Sequence, residues 1–249
     1  MDGSSESTGR PQADSSFTTT HWSVVIGASE RGSPAAEEAL SRLCECYWYP
    51  LYAYVRRQGH IPEEAQDLTQ EFFRRLLAGN FLRTVDPRKG KFRSYLLAAM
   101  EHFLAKQWRD ARRLKRGGGQ RLQSLDEQHA EVRYLAEPSR EMTAERVFER
   151  RWALTVIETA FHRLREEFVT ANKQRLFETL QPFLTGEHAT KTYGDIAVEL
   201  DMTPGAVKVA VHRLRTRYGV LIRDEIAQTV SSAAEVDEEL RYLMEVLGR

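Results

Sequence analysis

Leu40, Leu43, Cys44, Tyr47, Trp48, Leu51, Tyr54 and Val55 recur at three- and four-residue intervals, the stripe with which one face of an α-helix meets a core. Pro50 falls inside that stripe and predicts a kink or an interruption. A second helix is expected after Pro62, an acceptable first-turn residue, with Glu63 and Glu64 suited to the positive end of its dipole. Its stripe is Ala65, Leu68, Phe72 and Leu76, widened by Phe73 and Leu77. Gly79-Asn80 and Asp86-Pro87 then signal turns, and Phe92, Tyr95, Leu96, Ala99, Met100, Phe103 and Leu104 predict a third helix running on past Trp108 into a basic tip.

Gly117-Gly118-Gly119 ends any helix, and Gln120 to Pro138 is polar with weak periodicity. Beyond it Val147, Phe148, Trp152, Leu154 to Ile157, Phe161 and Leu164 predict one helix, and Arg175 to Leu184 another. No stretch alternates with period two, so the expected fold class is all-α: two small helical domains joined by a flexible linker. The expected division is a disordered leader over 1–16, a first domain over 17–116, a linker over 117–142, a second domain over 143–228 and an acidic C-terminal extension over 229–249.

Composition changes this picture little, and charge distribution changes it more. The chain of 249 residues is 41% hydrophobic, enough for real cores, and its formal net charge is zero. Arg83 to Arg121 nevertheless holds twelve Lys and Arg against three Asp and Glu, a net of +9, which suits a phosphate-binding face. Glu225 to Arg249 holds two basic against six acidic residues, a net of −4. No apolar run approaches the roughly 20 residues that span a bilayer, so neither membrane insertion nor export is expected, and the cytoplasm is the expected location. Cys44 and Cys46 cannot supply a four-ligand zinc set and read as reduced core thiols; no metal and no cofactor is expected.

The motif richest in mechanism runs from Tyr193 to Arg215 and reads as a helix-turn-helix. Ile196, Ala197 and Leu200 give a first helix one apolar face, Asp201-Met202 makes the turn, Thr203 is a suitable N-cap and Pro204 sits at the first helical position. Val207, Ala210, Val211 and Leu214 face inward. Gly205, Ala206, Lys208, Val209, His212, Arg213 and Arg215 face outward; with Thr203 they form the candidate duplex-reading set, since the start of such a second helix meets base edges while basic residues further along contact phosphates.

Tyr193 to Arg215 resembles the promoter −35-binding domain of extracytoplasmic-function (ECF) sigma factors, the region 4-like part of that family. Glu64-Ala-Gln-Asp-Leu-Thr-Gln-Glu-Phe-Phe-Arg-Arg-Leu, ending at Leu76, resembles the region 2 segment with which sigma factors grip the beta-prime clamp helices of RNA polymerase. The resemblance makes Asp67, Gln70, Glu71, Arg74 and Arg75 the polymerase-facing set, and spacing alone puts them opposite the apolar stripe. Phe92 to Arg109 is similar to the segment that melts the −10 element and holds the non-template strand, which needs basic residues along the phosphates and aromatic groups for unstacked bases. Its candidates are Lys91, Arg93, Tyr95, His102, Lys106, Trp108, Arg109, Arg112, Arg113 and Arg116. Tyr95 and Trp108 fit a core position equally well. Tyr95, His102 and Lys106 stand where the family usually has Trp, Asn and Asp, so the −10 sequence cannot be carried over.

The partners implied are RNA polymerase core, through its beta-prime clamp helices and beta flap, promoter DNA, and an anti-sigma factor or other regulator. The alternative is a stand-alone helix-turn-helix regulator that binds a duplex operator as a symmetric dimer. An enzyme is not expected: seven scattered histidines accompany no metalloprotease, phosphate-loop or nucleophile-elbow pattern. Leu240, Leu243, Met244 and Leu247 give the acidic tail a helical stripe of its own. Two readings of it stay open: a helix capping the second domain, or a shield over the basic DNA face.

Overall fold

The computed structural model describes residues 34–77, 91–113, 130–131, 133–134, 142–185, 191–230 and 232–248. The expected leader, the Gly117–Gly119 break and Arg116 lie outside them, as do the side chains of Leu40, Leu43, Cys44, Leu77, Arg112 and Arg113. Regular structure among the described residues is entirely helical. In chain order it comprises α1 (Pro34–Arg57), α2 (Pro62–Leu77), α3 (Phe92–Arg113), α4 (Ala144–Thr170), α5 (Gln174–Leu180), α6 (Pro182–Thr185), α7 (Tyr193–Leu200), α8 (Pro204–Ala227) and α9 (Ala233–Gly248).

Helix α1 is continuous through Pro50, so the expected interruption does not occur. Every residue from Tyr49 to Val55 is buried, and packing on all sides outweighs the intrahelical bond the imide cannot donate. Gly59, with φ of 97°, turns the chain sharply after α1, a conformation glycine adopts without steric cost. The inward face of α2 is rotated slightly from the expected stripe. Ala65, Thr69, Phe72, Phe73 and Leu76 are buried while Leu68 is half-exposed. Thr69 tolerates this place because its hydroxyl donates to the Ala65 carbonyl at 2.7 Å.

Two hydrophobic cores result. The first joins α1, α2 and α3 through Tyr47, Leu51, Phe72, Leu76, Phe92, Leu96, Met100 and Phe103, and continues into Phe148, Trp152, Ala153 and Val156 of α4. The second gathers Ala160 and Leu164 of α4 with Phe177, Leu180, Ile196, Ala197, Val207, Val211 and Leu214. The packing divides within α4, not at its start near 143. This 27-residue helix, about 40 Å long at 1.5 Å per residue, gives its first half to one core and its second half to the other. Helix α8 does the same: Val207 to Leu221 serve the second core and Ile226 the first.

The segment expected to be a linker is tied down where it is described. Ala130 is buried in the first core, and Glu131 accepts hydrogen bonds from the Tyr52 hydroxyl at 2.7 Å and from Arg56 at 2.9 and 2.7 Å. Tyr134 lies under the Arg56 guanidinium, 4.9 Å from ring centroid to carbon. Helix α9 does not simply cap the second domain, because Val236 and Leu243 enter the first core beside Ile226 and Val230.

Candidate nucleic-acid and polymerase interface

Helix α2 presents its polar side outward. Asp67, Gln70 and Arg74 are exposed; Glu71 and Arg75 are partly covered. Glu71 sits between two guanidinium groups, accepting from Arg74 at 2.6 and 2.8 Å and from Arg75 at 2.6 Å. Those bonds, with Arg74 first, hold its carboxyl at about 2, below its usual 4.5. Arg75 also lies over the Phe103 ring at 5.2 Å, which fixes the outer face of α2 relative to α3. The five residues expected to face polymerase therefore form one surface opposite the buried face.

Helix α3 separates its candidates into two groups. His102, Lys106, Trp108 and Arg109 are exposed along its second half, with the Trp108 ring 58% accessible. Trp108 and Arg109 line a groove of about 600 Å³ shared with Tyr54, Gln58, His60, Glu101, Leu104, Ala105 and Glu145. Tyr95 takes the core-side alternative: it is half-buried, stacks 6.5 Å from Phe92, and burial raises its hydroxyl to about 12.

Lys91 and Arg93 do not lie on that exposed surface. Arg93 donates to both carboxylate oxygens of Glu239, at 2.8 and 3.2 Å, and Lys91 reaches the same carboxylate at 2.6 Å. Arg93 is also enclosed by aromatic rings, 4.0 Å from the Tyr242 centroid and 5.2 Å from that of Trp152. Sequence reasoning missed Glu239 as their partner; the signal it offered was the acid-rich, amphipathic tail.

Helices α7 and α8 form the expected hairpin. Thr192 and Asp195 make a reciprocal capping box at the start of α7. Asp201 ends that helix in the left-handed conformation, with φ of 53°, and the Met202 amide returns to the Ala197 carbonyl at 2.9 Å. Thr203 then caps α8 by accepting from the Ala206 amide at 3.2 Å, with Pro204 following at the first helical position. Gly205, Lys208, Val209, His212 and Arg213 are exposed along one side of α8, and Ala206 is half-buried. Arg215 is exposed too, but its guanidinium donates twice to the Phe183 carbonyl, at 3.2 and 3.0 Å, and so braces α8 against α6.

Residues 43–114 match the family model for sigma-70 region 2. No curated protein and no solved structure matches the chain. The region 2 match covers α1 from residue 43, all of α2 and all of α3, the elements that carry the polymerase-facing and −10 candidates. The match spans under a third of the chain and supports a sigma-70 family member, a class that acts in transcription initiation with RNA polymerase core and promoter DNA. No helix among the described residues is long and apolar enough to cross a membrane.

Proposed function

We propose that this chain is an ECF-type sigma factor that binds RNA polymerase core in the cytoplasm and directs it to the promoters of a specific regulon. In this reading the region 2 surface of Asp67, Gln70, Glu71, Arg74 and Arg75 engages the beta-prime clamp helices. His102, Lys106, Trp108 and Arg109, with Arg112, Arg113 and Arg116 beyond them, hold the melted −10 strand. The α7–α8 hairpin is the region 4-like reader of the −35 element, led by Lys208 and Arg213, and its domain is the part that would meet the beta flap.

The observation that carries the proposal is the coincidence on α2 of the region 2 match with a polar face turned outward, its Asp67, Gln70 and Arg74 exposed. Its acidic, amide and basic groups suit a hydrogen-bonded protein interface. Co-purification with purified core polymerase tests it, followed by transcription from a genomic fragment library. Retention on core by the wild type and its loss on Arg74→Glu support the reading. Tight dimeric binding to duplex DNA with no affinity for core would replace it with the stand-alone regulator. An anti-sigma factor, if one controls this chain, would compete with core in the same assay.

A further inference from the structure

Glu239 is the only charged residue among the described ones that is buried, 1% exposed, and it is held by two cations from the first turn of α3 and the residue just before it. An anion belonging to α9 thus sits on two cations of the basic stretch, at the start of α3. The contacts are those a phosphate would make: a guanidinium gives two parallel donors and a lysine ammonium gives a third to the same group. Nearby, Glu238 lies 3.6 Å from Lys91 and Glu149 lies 3.7 Å from Arg93, looser partners than Glu239.

We propose that Lys91 and Arg93 form a backbone-phosphate site for the non-template strand, and that α9 fills this site with Glu239 in the free protein, so that single-stranded DNA and α9 exclude one another. The proposal rests on the sigma reading for the identity of the strand, but the exclusion itself is a property of this chain alone. Its physical logic is exchange of one anion for another. A bare removal of Glu239 would strand two cations in a partly enclosed site, whereas arrival of a phosphate keeps them paired. The aromatic enclosure by Tyr242 and Trp152 adds a second lock, because Tyr242 belongs to α9 and leaves with it. Arg223 of α8 pairs with Asp237 of α9, one more contact that undocking of α9 breaks.

Deleting α9 is a poor test, since Val236 and Leu243 belong to the first core. The informative variant is Glu239→Gln, which keeps the size and an acceptor oxygen and removes the charge. Binding of a fluorescent 30-nucleotide mixed-sequence single-stranded DNA is measured for the full chain at several salt concentrations. The variant is expected to bind more tightly, with the slope of log affinity against log salt steeper by about 1.4, corresponding to two added phosphate contacts. Between 200 and 50 mM salt its advantage then grows about sevenfold. Equal affinity and equal slope overturn the proposal, as does weaker binding by the folded variant. Hydrogen exchange on the wild-type chain supplies a second measurement that needs no substitution. Amides over 233–248 should lose protection when the oligonucleotide is added, and unchanged or increased protection overturns the proposal. Core polymerase binding is measured in parallel: its absence rejects the sigma reading, whereas its presence with unchanged DNA binding rejects only the exclusion.

Discussion

Arg93 and Glu239 stand 146 residues apart in sequence yet share two hydrogen bonds, of 2.8 and 3.2 Å, between the first turn of α3 and the middle of α9. The pair is largely removed from solvent, so each member is costly to leave alone. Breaking a buried pair by deleting one partner typically costs about 3–5 kcal/mol. Arg93 retains Glu149 at 3.7 Å, which places Glu239→Ala near the lower end, at about 3 kcal/mol. Glu239→Gln, which still accepts from both cations, is expected to lose markedly less. Urea unfolding of both variants checks the order; equal losses would show that the charge carries the whole contribution and the shape of the side chain none of it.

The Glu71 cluster makes a prediction about pH. Its carboxyl is held at about 2, against an ordinary 4.5, by hydrogen bonds from Arg74 and then Arg75. A carboxylate with a depressed folded-state value contributes stability that is fully present above the unfolded value and lost as pH falls through the folded one. The stability difference between wild type and Glu71→Gln should therefore be constant above about pH 5.5 and shrink between about pH 5 and 2. Arg74 is well exposed, so the whole effect should stay below about 1 kcal/mol. NMR titration of the Glu71 carboxyl measures it directly, and a midpoint near 4.5 would remove the cluster as its cause.

The helices legible in the sequence are those whose local signals agree with their surroundings. Thr203-Pro204 marks the start of α8 because an N-cap and a first-turn proline act over a few residues, and the structure has both. Pro50 does not interrupt α1 because its local cost is outweighed by burial of the residues around it, which a one-dimensional pattern does not contain. Thr69 entered the core in place of Leu68 because a hydroxyl can return its hydrogen bond to its own helix. The α2 surface was readable from spacing, since residues opposite an apolar stripe face outward. Lys91 and Arg93 were not, because their partner lies in another helix at long sequence separation and a net charge of −4 does not say which carboxylate docks where. The role of Glu131 was hidden in the same way: it bonds to Tyr52 and Arg56, 79 and 75 residues earlier.

Thr203 offers a test of how far the start of α8 depends on its cap. The hydroxyl accepts from the Ala206 amide at 3.2 Å, and loss of such a cap costs about 1 kcal/mol. Thr203→Ala should show that loss in thermal or urea unfolding, while Thr203→Ser should recover most of it. If duplex affinity falls in Thr203→Ala and returns in Thr203→Ser, the hydroxyl acts through the cap or through a contact that either side chain can make. A loss that Thr203→Ser leaves unrepaired assigns the contact to the methyl group.

Arg215 and its neighbours on α8 separate bracing from reading. Arg215 gives two hydrogen bonds to the Phe183 carbonyl, whereas Lys208 and Arg213 are exposed on the side of α8 that is turned away from the second core. Arg215→Ala should therefore lower stability by about 1–2 kcal/mol, the range expected when bonds from a charged donor to a carbonyl are removed at an exposed site. Lys208→Ala and Arg213→Ala should change stability by no more than about 0.5 kcal/mol and instead weaken duplex binding by the polymerase complex. A residue that touches phosphate should weaken all sequences alike and reduce the salt slope by about 0.9; one that reads a base should cost about 1–3 kcal/mol at a single position and relax specificity there. The opposite partition, with Arg215→Ala fully stable but unable to bind duplex, would move Arg215 from α6 to the DNA and show that its bonds to Phe183 are exchanged on binding.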